Sequence, residues 1–157
     1  MRRLLLVCVL WASTAMGTVL RPLEFETLQT RATHISIAEV DSLNSFWHSG
    51  RILTWVTLRP TTLFRGNETL VRVLVPGGTV GVISQSVADG PHFEIGQRSL
   101  YFLEPMTKFD GLRLVGFTQG KVDETGAMAM QFTEWVRRLE RSNMLMRPQQ
   151  AEPLRGQ

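Results

Sequence analysis

The sequence predicts a mainly β protein: a small OB-like β-barrel of five or six strands, with a short N-terminal helix and a C-terminal amphipathic helix. Three observations carry that expectation. Arg51 to Leu58 alternates in polarity as a half-buried strand must. Short runs rich in Val, Ile, Leu, Thr and Phe recur between Gly, Pro and Asn turn signals. A helical period shows itself near the two ends of the domain, on either side of these runs.

The elements follow in order. Residues 1–17 read as a cleavable signal peptide. Arg2 and Arg3 give a positive start, Leu4 to Ala12 is an apolar run, and the stretch Ser13 to Gly17 offers cleavage after Ala15 or Gly17. The run falls short of the roughly 20 apolar residues that a membrane span needs. Cys8 sits inside it behind bulky Val7, so it is not read as a lipid-anchor site. The alternative is a buried N-terminal strand or helix. The reading implies export, to the periplasm or the medium, with no membrane anchor after cleavage.

One domain is expected over 18–143, with a disordered tail over 144–157 where Pro, Gln and Gly dominate from Arg147 onward. It opens with a helix in which Pro22 suits the first turn and Leu23, Phe25, Leu28 and Ala32 share a side. From His34 the pattern turns to β. Ile35, Ile37, Ala38 and Val40 lead through Asp41 to Ser45 into Phe46 and Trp47, and His48-Ser49-Gly50 forms a turn. Within the next strand, Pro60 implies a bulge, an edge or an end to pairing.

Arg65-Gly66-Asn67 turns the chain into a strand over Leu70 to Val75, which Pro76-Gly77-Gly78 ends. Val80 to Val87 is read as one weak strand, and Ala88 to Pro91 as a turn. Ser99 to Glu104 and Leu112 to Phe117 are the last strands. A helix follows on Met128, Phe132, Trp135, Val136 and Leu139, with Asp123 or Thr125 as its cap. Phe93, Ile95, Leu100 and Phe102 are expected to supply apolar bulk. Trp47, Trp55 and Trp135 are expected as core anchors rather than a ligand platform, and Met128, Met130, Phe132 and Trp135 as the helix face on the barrel, with a partner-binding face as the alternative.

Charge excludes one class of partner. The chain carries 17 Lys+Arg against 14 Asp+Glu, and Arg2 and Arg3 leave with the signal peptide, so the mature domain has 15 against 14. A net charge of +1 gives no reason to expect a nucleic-acid groove. Cys8 is the single cysteine, so the mature domain has no disulfide and must be held by its core.

Several motifs together resemble a known group. These are LEFETLQTRA, GRILTWVTL, LFRGN, VPGGTVG, GPHFEIGQRSLYFLEP and LVGFTQGKV. Their order resembles that of small exported bacterial proteins of uncharacterised function, over about two-thirds of the chain from Leu23 to Val122. The chain departs from that pattern at His34 to Val40, where a glycine-containing strand is expected. The order of strands, glycine turns and the YFL strand is more remotely similar to the netrin-like OB barrel of tissue metalloproteinase inhibitors. Those inhibitors present an N-terminal cysteine to zinc; no cysteine remains here, so the resemblance implies the barrel and not the mechanism.

Catalytic signatures are weak. Three histidines remain, at His34, His48 and His92, with no metal-ligand spacing, so neither metal nor cofactor is expected. Ser84, Ser86 and Ser99 have no nucleophile elbow around them. Asp89, Glu94, Glu104, Asp110 and Asp123 read as turn formers and solvated ends. No phosphate-loop pattern can be written through Pro76 to Pro91. That segment is either a turn with a bulged strand or a binding loop at a barrel rim, with Gly77, Gly78, Gly81, Gln85, Asp89 and His92 as its binding residues. The expected function is therefore a non-catalytic exported domain that binds another exported protein or an envelope component. The alternatives are a small exported hydrolase with a loop-assembled site, or a purely structural module.

Overall fold

The computed structural model describes residues 22–146. The expected signal peptide with its expected cleavage sites, and the segment 147–157, lie outside the described residues. Helix α1 (Phe25–Arg31) buries Phe25 and Leu28, as the spacing predicts. Its C-terminal carbonyls are held by Arg65, whose Nη1 donates to Gln29 O at 2.5 Å and Ala32 O at 2.6 Å. A cation there also suits the negative end of the helix.

Strands β1 (His34–His48) and β2 (Arg51–Arg65) form one long antiparallel hairpin. Ser49 and Gly50 join them at φ 49° and 77°. Two successive left-handed residues are what a type I′ turn requires, and its twist matches the strands. The segment Asp41 to Ser45 does not interrupt β1. Its polar residues tolerate a strand here because that part of β1 is exposed or half-buried. Pro60 falls opposite Ala38 beside a register shift, the bulge that its missing N–H calls for.

β3 (Val71–Pro76) pairs with β2, and β6 (Arg98–Pro105) pairs with β1. β7 (Leu112–Leu114) joins β6 to β3, meeting β3 in parallel at Val73 and Leu112. The order β1-β2-β3-β7-β6 therefore closes on β1 as a five-stranded mixed barrel of OB-like order. β8 (Lys121–Asp123) is an extra strand on the start of β6. The sequence reading missed it, because three residues are too short for an alternation to show.

β6 separates two cores by its alternation. Tyr101 and Leu103 face the barrel interior with Val56, Leu58, Val73 and Leu114. Leu100 and Phe102 face the other way, into a layer formed with α1 and the C-terminal helix α2 (Ala129–Met146). There Phe102 makes edge contacts with Phe25 at 6.0 Å and Trp135 at 5.7 Å.

The structure corrects several finer expectations. Val80 to Val87 is not one strand but part of a separate hairpin of β4 (Gly78–Val80) and β5 (Ile83–Gln85). Gly81 at φ 60° permits its tight turn. The strand from Leu112 ends at Leu114, since Gly116 and Phe117 turn the chain at φ 64° and 67°. Asp123 belongs to β8 and does not cap a helix; Thr125 precedes a 3-10 turn, Gly126–Met128, without a side-chain cap bond. Met128 and Met130 point to solvent, and α2 packs instead through Phe132, Trp135 and Leu139. Ile95 is also exposed. Helix α2 runs on to Met146, past the expected domain end at 143.

Candidate functional site

The β1–β2 hairpin reaches past the closed barrel, and its inner face is set by a bulge. The register shifts between Val40 and Ser42, so Asp41 has no partner on β2. Before it, even-numbered Ala38 and Val40 face the interior; after it, odd-numbered Leu43 and Ser45 do, opposite Val56 and Thr54. One extra residue changes which side chains reach the rim.

The β4–β5 hairpin lies over this overhang. Thr54 Oγ1 donates to Gly77 O at 2.7 Å and shares a 2.7 Å hydrogen bond with Ser45 Oγ. Thr79 N donates to Ser45 Oγ at 3.3 Å, and Ile52 N donates to Gln85 Oε1 at 2.6 Å. Gly78, at φ 129°, brings its backbone so close that a Cβ there would overlap the Ser45 and Thr54 hydroxyls. The hairpin is thus held by side chains of the barrel strands and not by a continuous sheet.

Between the hairpin, the overhang and the loop from Ser86 to Phe93 lies a cleft of about 560 Å³. That is within the roughly 300–1,000 Å³ usual for ligand sites. Gly77, Gly78, Gln85 and His92 line it, whereas Gly81 at the hairpin turn and Asp89 in the loop do not. The sequence reading missed Ser45, Thr54, Thr79 and Ser84, which supply hydroxyls to the walls. A signal for the first two existed. Counting back in pairs from a two-residue turn at Ser49-Gly50 places Ser45 opposite Thr54.

Among the described residues, no Asp, Glu, Lys or Arg lines the cleft. Its polar groups are hydroxyls, amides, backbone and the His92 ring, and several already bond one another, as Thr79 Oγ1 does to Ser84 Oγ at 3.1 Å. The floor is Phe93, buried and stacked on Tyr101 with ring centroids 6.3 Å apart. Lys121 lies 5.5 Å from the Phe93 ring and is paired with Asp123. Such walls suit an uncharged ligand that brings hydrogen-bonding groups and some apolar surface.

The histidines occupy three separate settings. His34 is buried, with Nδ1 3.0 Å from Glu68 Oε2 and Nε2 2.9 Å from Ser36 Oγ. His48 meets the Phe109 ring at 5.1 Å. His92 is exposed and 3.1 Å from Glu94. Among the described residues no three His, Cys, Asp or Glu gather as a metal site. Ser84 and Ser86 line the cleft, while Ser99 is buried and donates to Asp123 at 2.7 Å.

The tryptophans divide. Trp135 is a core anchor as expected, but Trp47 is 46% exposed. Trp55 is half-buried on the outer face of β2, stacked near Phe46 at 6.5 Å and covered by the Arg72 guanidinium at 4.3 Å. Set against protein-family models, curated proteins and solved structures, the chain matches none of them.

Proposed function

We infer that this is an exported, non-catalytic binding domain whose rim cleft takes an uncharged extended segment of another exported protein, or an envelope component of similar character. The observation that carries it is the cleft itself, which gathers Gly77, Gly78, Gln85 and His92 within walls that hold no Asp, Glu, Lys or Arg among the described residues. The edge of β1 supports the protein as ligand. β6 pairs with β1 only as far as Glu39, so among the described residues no strand covers that edge from Ser42 to Trp47. Leu43 and Ser45 of this uncovered stretch line the cleft. Unpaired strand edges accept extended peptides through main-chain hydrogen bonds.

The export half of the proposal rests on residues 1–17 and on the resemblance to exported bacterial proteins. No helix among the described residues is long and apolar enough to cross a membrane. The test is photo-cross-linking in the exporting host, with the reactive residue placed at Val87 beside the cleft or at exposed Glu140 on α2. Defined adducts from position 87 and none from position 140 are expected. Equal labelling from both positions would sink the cleft as a binding site, and an intact Met1 on the recovered protein would sink cleaved export.

A further inference from the structure

We propose that a second pocket, on the other side of the β3 end, binds the anion of a long-chain carboxylic acid. The pocket measures about 630 Å³ and is walled by Leu23, Leu74, Leu114, Met106 and Phe117. Pro76 and Pro91, also in its wall, bring no backbone N–H. Such walls offer a hydrocarbon chain contact and offer a peptide backbone few partners.

At the margin stand Arg31 from α1 and Arg113 from β7, both lining the pocket. They share one carboxylate. Arg31 Nη2 lies 3.1 and 3.2 Å from the two oxygens of Glu104, and Arg113 Nε lies 3.0 Å from Oε1. Glu104 is 13% exposed, against 44% for Arg31 and 57% for Arg113. The half-buried carboxylate orients both guanidinium groups, which themselves stay well exposed. Two cations against one anion give the margin one positive charge in excess, which a ligand carboxylate would neutralise through the fork geometry that Arg provides.

A second feature points to the same pocket. Gly116 and Phe117 both hold left-handed backbone, φ 64° and 67°. For Phe117 that is a strained shape, and the ring it presents stays 39% exposed. A Cβ on Gly116 would overlap Leu23, so this turn is fitted against the pocket wall. Strain of this kind gathers at ligand sites, where the surroundings fix it.

The test is calorimetric titration of the full chain with dodecanoate below its micelle concentration, beside dodecanol and a short peptide ending in leucine. One-to-one binding of dodecanoate is expected, with dodecanol about tenfold weaker because its neutral hydroxyl brings neither the charge nor the two-oxygen fork that the arginines match. Arg31→Gln with Arg113→Gln is expected to erase that tenfold preference. Phe117→Gly, which suits the left-handed φ and leaves the ion cluster intact, should weaken both ligands. No heat from dodecanoate, equal affinity for dodecanol, or tighter binding of the peptide would each overturn the proposal. The dodecanoate-to-dodecanol comparison needs no variant, so a misfolded double substitution leaves the test standing.

Discussion

Tyr101 is the single tyrosine of the chain, and its hydroxyl is buried in the barrel with no hydrogen-bond partner among the described residues. Burial pushes its pKa up from 10.0, the neighbouring Ser99 hydroxyl opposes the rise in part, and the Asp123 charge adds to it. A group with a raised native pKa lends stability that is complete below the unfolded value and fades as pH climbs past it. The barrel should therefore lose stability above about pH 10, where the unfolded chain ionises. Phenolate absorbance should rise only as the protein unfolds, and early ionisation of the native state would contradict the burial. Tyr101→Phe should leave stability unchanged or raise it by about 1 kcal/mol, since removing an unsatisfied buried hydroxyl costs nothing. Glu68 behaves in the opposite sense. Backbone N–H groups of Asn67 and of Glu68 itself, then His34, hold its carboxyl below the ordinary 4.5. Its contribution is present above that value and lost as pH falls below it. Glu68→Gln should flatten the acid side of the stability profile, and an unaltered acid side would show that the His34 contact carries no charge-linked stability.

At the scale of elements, the β4–β5 hairpin is the piece most exposed to single changes, because it has no strand neighbour in the barrel sheet. Gly78→Ala forces a Cβ against Ser45 and Thr54. Amide exchange over residues 78–85 should accelerate while the barrel amides stay protected. Uniform acceleration would mean that the hairpin is part of the cooperative core. The same element shows where sequence stops being legible. Strand β2 and the Phe132, Trp135 and Leu139 side of α2 could be read from period alone, and Ser49-Gly50 and Pro60 from backbone chemistry. The hairpin could not, since Gly81 looked like a flaw within a strand and not a turn between two. Trp55 was misplaced for a related reason. Alternation gives β2 two faces, but its partner β1 changes face at Asp41, and nothing in the residue types says which side of the sheet the helices will cover. Of the six residues expected to bind, the four at the cleft are those adjoining barrel strands or Phe93. Gly81 and Asp89 hold left-handed turn positions, φ 60° and 53°, and do not line it.

In the whole molecule, β6 makes one cooperative unit of two cores. Its odd-numbered residues Ser99, Tyr101 and Leu103 belong to the barrel side, and Leu100 and Phe102 to the helical layer. Any disturbance of α2 is felt by the strand that closes the barrel on β1. Leu139 sits in α2 at 2% exposure, within the layer that holds Phe25, Phe102 and Trp135. Leu139→Ala leaves a cavity there and should cost about 2–5 kcal/mol. For a domain whose total stability is roughly 5–15 kcal/mol, that is a large share. If the layers are coupled as the alternation of β6 implies, the loss falls on the whole domain. Near-ultraviolet dichroism of the aromatic layer and far-ultraviolet dichroism of the backbone should then shift together to one lower midpoint. Reductant should not move that midpoint, because Cys8 has no second cysteine to bond. The decisive outcome is the coincidence of the two signals. An aromatic-layer signal lost at lower denaturant than the backbone signal would show α2 to be a detachable cover, and the two cores would then be independent.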